Sequence, residues 1–377
     1  MNRDGYLKTI RREQNGPVPY FFCFCNALVE KFKRKYGDVD YHEAFQMPVR
    51  EIFLRPTKLD PREVFRDYLE GREVKGIVTE WGIELEKSSV EHFSHMIGPL
   101  KDSEKIEDIL ELPLPDFLED YRWEGVREQV ARAKENGLIT MPGIYGGNDT
   151  GTGEPTVAAF MDVFEASWYL RGLDSMLMDF YVNEEFAQAL LDKITDFKVE
   201  LAKKWAQAGV DILTTGDDVG TQTGLMMSRD MYCKWLKPRL AKVIFAAKEV
   251  NPDILVFYHS DGNVEEIIPD LIEAGVEILN PIQPECMDPE RIITRYGEKL
   301  SFWGTVGTQQ TMPFGSVNEV KAACKKVLSL TKDRGGLVLA PTHLLEPEVP
   351  LENVEAFLEA LAEHNKAWET GNMGEEK

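Results

Sequence analysis

His259 closes an apolar run, Ile254-Leu-Val-Phe-Tyr258, and Asp261 follows two residues later, just ahead of Gly262. Much further along, a second apolar run, Gly335-Gly-Leu-Val-Leu-Ala-Pro-Thr342, delivers His343 in the same way. Short apolar runs bounded by turn residues read as buried strands, and a polar residue that ends one stands at the rim of the sheet. Two such rims meeting in space would join imidazole to carboxylate, a donor set that suits zinc. Three protein ligands would leave the fourth position open for chemistry. His259, Asp261 and His343 are therefore the candidate metal ligands, with Glu285, Cys286 and Asp217 as alternates. A second reading stays open, in which the two histidines hydrogen-bond a substrate or each other without metal.

Histidines at strand ends can share a site only if parallel strands bring their carboxyl ends to one face. Eight segments read as such strands: 19–25, 76–81, 138–144, 210–215, 254–259, 276–280, 300–304 and 336–341. Helical stretches alternate with them, among them 183–208, 230–250 (with Ser228 ahead of it as a cap), 263–274 and 317–330. This alternation predicts an α/β fold, a (β/α)8 TIM barrel. One domain over residues 1–377 is expected, with the barrel core at about 19–365, an N-terminal extension and inserted loops.

The residues after each strand then converge on one mouth. Strand two supplies Glu80 and Trp81, strand three Tyr145, and strand four Asp217, Asp218 and Gln222. Strand six adds Asn280, Gln283, Glu285 and Cys286; strand seven adds Trp303 and Gln309. Glu80, Asp217 and Asp218 are the candidate catalytic carboxylates. Adjacent residues of a strand point to opposite faces, so one of Asp217 and Asp218 is expected to face the site. Trp81, Tyr145, Gln222, Trp303 and Gln309 are the candidate substrate contacts. The glycine-rich stretch 146–155 is expected to form a lid; it has no Gly-Lys-Ser/Thr ending of the kind that cradles phosphate.

Sixty-five acidic residues against 43 basic ones give a formal charge of −22. That balance repels phosphate backbones and anionic bilayers, so neither nucleic acid nor membrane is an expected partner. No apolar stretch reaches membrane-spanning length, and Met1–Gln14 has no signal-peptide core. The five cysteines are scattered and read as reduced thiols, so a cytoplasmic protein is expected. A homodimeric assembly is left open.

Four blocks carry a family resemblance: Asp211-Ile-Leu-Thr-Thr-Gly-Asp-Asp-Val-Gly-Thr-Gln222, His259-Ser-Asp-Gly262, Phe302-Trp-Gly-Thr-Val-Gly-Thr-Gln309, and Pro341-Thr-His343 with Pro350-Leu-Glu-Asn353. Over roughly residues 60 to 365 the chain resembles the uroporphyrinogen decarboxylase superfamily, whose fold is a (β/α)8 barrel. True decarboxylases of that superfamily carry an arginine-bearing N-terminal segment that clamps substrate carboxylates. This chain has Tyr20-Phe-Phe-Cys-Phe-Cys-Asn26 there. The corrinoid-dependent methyltransferase branch is the nearer likeness. Its thiol-alkylating members use a His-x-Cys zinc motif with a distant cysteine, onto which His259, Asp261 and His343 map by position. Aspartate and histidine in place of the two cysteines make a harder donor set, better matched to an oxygen than to a thiolate. The resemblance thus implies zinc-assisted methyl transfer between a small methylated, preferably methoxy, substrate and a corrinoid protein. Tetrapyrrole decarboxylation and non-catalytic binding of a small molecule are the alternatives.

Overall fold

The computed structural model describes residues 2–87, 94–143 and 162–371. Its strands are β1 (Val49–Ile52), β2 (Ile77–Val78), β3 (Glu84–Lys87), β4 (Ser94–Ile97), β5 (Ile139–Pro142), β6 (Ile212–Gly216), β7 (Leu255–His259), β8 (Ile278–Asn280), β9 (Ser301–Val306) and β10 (Leu337–Pro341). The last five form one parallel sheet in the order β10-β9-β8-β7-β6, and nearly every residue in them is buried. Burial on both faces is what continuous Val/Ile/Leu/Phe runs encode when helices cover the outside of a sheet. The Asp211 amide donates to the Thr140 carbonyl (2.9 Å), joining β6 to β5, and β5 pairs with β1 in parallel.

The expected strand 19–25 lies beside β10 through parallel bridges Tyr20–Leu339 and Phe24–Leu345. Its Cys23 Sγ reaches within 3.9 Å of a Glu51 carboxylate oxygen on β1, so the wall closes on itself as a (β/α)8 barrel.

One expected strand is misplaced. Segment 76–81 contributes only β2, which pairs antiparallel with β3, and β3 with β4, in a small separate sheet. The barrel position is taken by β1, Val49-Arg-Glu-Ile52. Its central Arg50 and Glu51 are only half-buried, and their charges hide the strand in a hydropathy reading. Glu80 and Trp81 therefore follow a strand of the small sheet and not one of the barrel wall.

The N-terminal extension closes the opposite end of the barrel. Its helix, Arg3–Ile10, sends Arg3 to the Asp211 carboxylate at the start of β6. The Gly336 amide donates to the Thr9 carbonyl (2.7 Å), from a backbone at φ +81° that favours glycine. The segment 230–250 is two helices, Arg229–Trp235 and Lys237–Val250, because Pro238 in the first turn of the second cannot continue the first. Ser228 caps the former, accepting from the Met231 amide at 3.2 Å. Tyr145 and the glycine-rich stretch 146–155 lie outside the described residues.

Candidate metal centre at the barrel mouth

β6 and β7 run side by side to the mouth, and their ends are laced together. Gly216 pairs with His259, and a Cβ on Gly216 would stand 2.8 Å from that of His259. Just beyond, the Asp261 amide donates to Asp218 Oδ1 (2.7 Å) and the Val219 amide to Ser260 Oγ (3.1 Å). These bonds hold Asp218, His259 and Asp261 as a cluster whose ligand atoms all lie within 4.8 Å of one another. His259 Nε2 is 3.6 Å from Asp218 Oδ1 and 3.8 Å from Asp261 Oδ1. Tetrahedral ligands about 2.1 Å from zinc are separated by about 3.4 Å, so a few tenths of an ångström of contraction would bring the two His259 separations to coordination distance. One imidazole and two carboxylates fit zinc by donor chemistry as well.

His343, expected as a third ligand, stands one step out. Its Nε2 is 4.0 Å from Asp261 Oδ2 and its side chain is 40% exposed, because it sits on the loop after β10 instead of on the strand. Asp218 takes its place in the compact set.

Neighbouring amides orient the cluster. Asn280 Oδ1 meets His259 Nδ1 at 2.6 Å, and Asn280 Nδ2 donates to the Trp303 carbonyl at 2.8 Å. Gln283 Nε2 donates to Asp261 Oδ1 (3.0 Å) while its Oε1 accepts from the Gly262 amide (2.7 Å). Burial alone would lower the His259 pKa, but Asp261, Asp218 and the Asn280 hydrogen bond outweigh it, and the net direction is upward. Burial pushes Asp261 up, against the opposing pull of His259 and His343. A buried imidazole between two carboxylates therefore favours a cation, whether a proton or a metal.

Asp217 turns the other way. Its Oδ1 accepts from the Glu165 amide (2.7 Å), so it caps the first turn of the helix Val163–Arg171. Burial raises the Asp217 pKa well above its ordinary value, with Asp162 adding to it. An uncharged acceptor should serve as well. Asp217→Asn is accordingly expected to fold like the parent, and Asp217→Ala to lose about 2 kcal/mol by stranding a buried donor. Urea unfolding of the two variants measures this; equal loss in both would refute the capping role.

Three more of the expected site residues are buried or paired. Glu80 binds Arg122 (2.6 Å), which also holds Asp116, so its carboxylate is committed to an ion-pair group. Trp81, 1% exposed, packs edge-on against Phe117 and Phe197 and offers no face to a substrate. Trp303, 2% exposed, lies within the barrel between Phe21 and Phe257. The alternates Glu285 and Cys286 are braces: Glu285 Oε1 accepts from the Gln309 amide (3.3 Å), and Cys286 Sγ lies 3.3 Å from Gln283 Oε1.

Sequence reading missed Glu165 and Lys198, both buried in helices behind Asp217 and Asp218. Burial, with Asp218 and Asp217 adding to it, holds the Glu165 carboxyl well above its ordinary range. Burial lowers Lys198, which Asp162 and Asp217 oppose. Charged side chains in otherwise apolar helix faces were the available signal.

Beside the cluster opens a cleft of about 220 Å³, lined by Asp261, Gln283, Thr308, Gln309, His343, Glu346 and Glu348 among others. Gln309 borders it directly. Gln222 sits on the exposed rim, with Nε2 donating to the Glu285 carbonyl (3.1 Å). No arginine or lysine appears among the described lining residues. Among the described residues no helix is long and apolar enough to cross a membrane.

Known proteins place this geometry. The uroporphyrinogen decarboxylase (URO-D) family model matches residues 152–364, more than half of the chain. Methylcobamide:CoM methyltransferase MtaA of Methanosarcina barkeri is 29% identical over 180 residues, 48% of this chain and 49% of that protein. The chain thus matches about half the length of that relative. Uroporphyrinogen decarboxylase of Pseudomonas fluorescens is 23% identical over 318 residues, covering 83% of this chain and 82% of its own length. A solved methyltransferase from Methanosarcina mazei superposes with a TM-score of 0.66 at 20% identity, over 95% of this chain and 97% of that one, which is a likeness of fold. With blocks from β6 to the last helix inside the matched span, the chain belongs to the uroporphyrinogen decarboxylase (URO-D) family.

Proposed function

We propose that this protein is a methyltransferase that moves a methyl group between a small methoxy substrate and a corrinoid carried by a separate protein, with zinc at the barrel mouth. The observation that carries this reading is the Asp218–His259–Asp261 cluster opening onto a polar cleft. Zinc held by those three side chains would supply Lewis acidity toward an ether oxygen. The rest is work for the chain's own residues. Asp218 and Asp261 bring two negative charges, and Gln283 keeps Asp261 turned inward. His343, exposed on the cleft wall, is placed to pass a proton to a departing alkoxide. Gln309 offers its amide to a polar substrate, and the open cleft leaves room for a partner to approach. Relatives named as methylcobamide:CoM methyltransferases support the corrinoid half of the proposal.

Decarboxylation of a tetrapyrrole is disfavoured by charge. Asp261, Glu346 and Glu348 line the cleft, and a polyanionic ligand entering it would meet repulsion with no arginine or lysine among the described lining residues to offset it. The deciding assay supplies zinc-loaded protein and a reduced corrinoid protein with methoxyaromatics, methylamines and a methylated thiol. Methyl loss from a methoxy compound, dependent on both zinc and corrinoid, is the expected result. Transfer from none of them, or carbon dioxide release from a porphyrinogen, would overturn the proposal.

A further inference from the structure

We infer that Asn280 is a positioning residue that decides which nitrogen of His259 faces the carboxylate pair. This rests on the metal reading above and adds to it the device that readies the imidazole. A carbonyl oxygen can only accept, so the Asn280 atom 2.8 Å from the Trp303 carbonyl is the amide nitrogen. The amide oxygen is thereby turned to His259 Nδ1, 2.6 Å away, and that nitrogen must carry the hydrogen. In the neutral ring Nε2 is then left with its lone pair on the side of Asp218 and Asp261, the orientation a metal ligand needs. Asn280 is 7% exposed, which leaves water little part in setting these bonds.

The middle of β9 is shaped to present that carbonyl. Gly304 lies at φ +129°, and a Cβ there would come within 3.2 Å of Pro281 Cβ and 3.6 Å of Asn280 Nδ2. Thr305 follows at φ +81°, uncommon for a β-branched residue, with its hydroxyl on the Gly304 carbonyl at 2.6 Å. Such backbone outliers persist where surrounding structure holds them, commonly at functional sites. The geometry also accounts for an amide instead of a carboxylate at position 280. An aspartate could accept from Nδ1, but its second oxygen would oppose the Trp303 carbonyl.

The hydrogen's position can be read without any turnover. The full chain, labelled with 15N-histidine and freed of metal, is observed by long-range 1H–15N correlation at a pH where the ring is neutral; His259→Gln assigns the signal. Wild type is expected to show the hydrogen on Nδ1. In Asn280→Ala it is expected to move to Nε2, where Asp218 and Asp261 can accept it. The same variant should bind zinc 10–100-fold more weakly by calorimetry. Hydrogen on Nε2 in the wild type overturns the inference without recourse to any variant, and so does an unchanged pattern in a folded Asn280→Ala. Wild-type hydrogen on Nδ1 with no zinc binding would sink the metal reading and leave the role of Asn280 standing.

Discussion

His259→Ala is expected to weaken zinc binding by at least about a hundredfold, close to 3 kcal/mol, and to abolish methyl transfer while the barrel stays folded. The imidazole supplies the only nitrogen in the compact cluster, and the two remaining carboxylates, Asp218 and Asp261, would hold zinc by oxygen alone. Oxygen-only sites suit magnesium or calcium better than zinc, so selectivity should fall along with affinity. The stability effect should be smaller. A buried ring is lost, yet the same change relieves burial of a polar group between acidic neighbours, and the cavity opens toward solvent at the mouth. His343→Ala separates the two roles: zinc affinity should fall much less, while turnover collapses, because His343 lies on the cleft wall outside the three-atom set. Calorimetric zinc titration, thermal unfolding and the methyl-transfer assay on both variants test the pair. Wild-type zinc affinity in His259→Ala would remove the centre from this place in the barrel.

Much of this arrangement was legible before any coordinates. β5 to β10 each overlap a segment that hydropathy marks, with β6 and β9 running one and two residues past theirs, because strands buried on both faces are written as unbroken apolar runs. Parallel strands ending at one rim put His259 and Asp261 together with a carboxylate after β6, but Asp218 was expected as a catalytic carboxylate and His343 as the third ligand. What escaped shares a physical cause: side-chain direction and partner choice are long-range facts. Arg50 and Glu51 made a barrel strand look polar: Glu51 meets the Cys23 thiol and Arg50 pairs with Asp40, partners no local pattern reveals. Which of Asp217 and Asp218 faces inward depended on the helix that Asp217 caps, more than fifty residues earlier in sequence. Trp81 and Trp303 are apolar enough to bury completely, and nothing local distinguishes an aromatic wall from an aromatic core. Asn280 and Gln283 stood in plain view at a strand end, but their roles needed the Trp303 carbonyl and the Asp261 carboxylate to be located first.

The brace at the far end of the barrel gives the largest expected loss of stability. Asp211, 6% exposed, accepts from Arg3 Nε (3.1 Å), from the Thr140 amide (2.9 Å) and hydroxyl (3.0 Å), and pairs with Lys134 (2.9 Å). It ties the N-terminal helix to the start of β6, the strand whose end carries Asp217 and Asp218. Asp211→Ala strands several donors at once and is expected to destabilise the fold by about 3 kcal/mol at neutral pH. The value sits at the low end for broken buried pairs because Arg3 and Lys134 are partly exposed and water can take up some of their bonds. The pH dependence has a definite sign. Burial would raise the Asp211 pKa, but Arg3, Lys134 and the Thr140 amide outweigh it and hold the carboxyl below its ordinary value. A carboxyl depressed in the folded state adds stability that is complete above the unfolded value, near 4, and disappears as pH falls through the folded one. Asp211→Asn, nearly the same shape without the charge, should therefore be less stable than the parent at pH 7, and the gap should narrow steadily once pH drops below about 4. Urea titrations of both proteins at a series of pH values measure it. A gap that stays constant into acid would mean that the carboxylate charge contributes nothing, and that shape and hydrogen bonds alone dock the N-terminal helix.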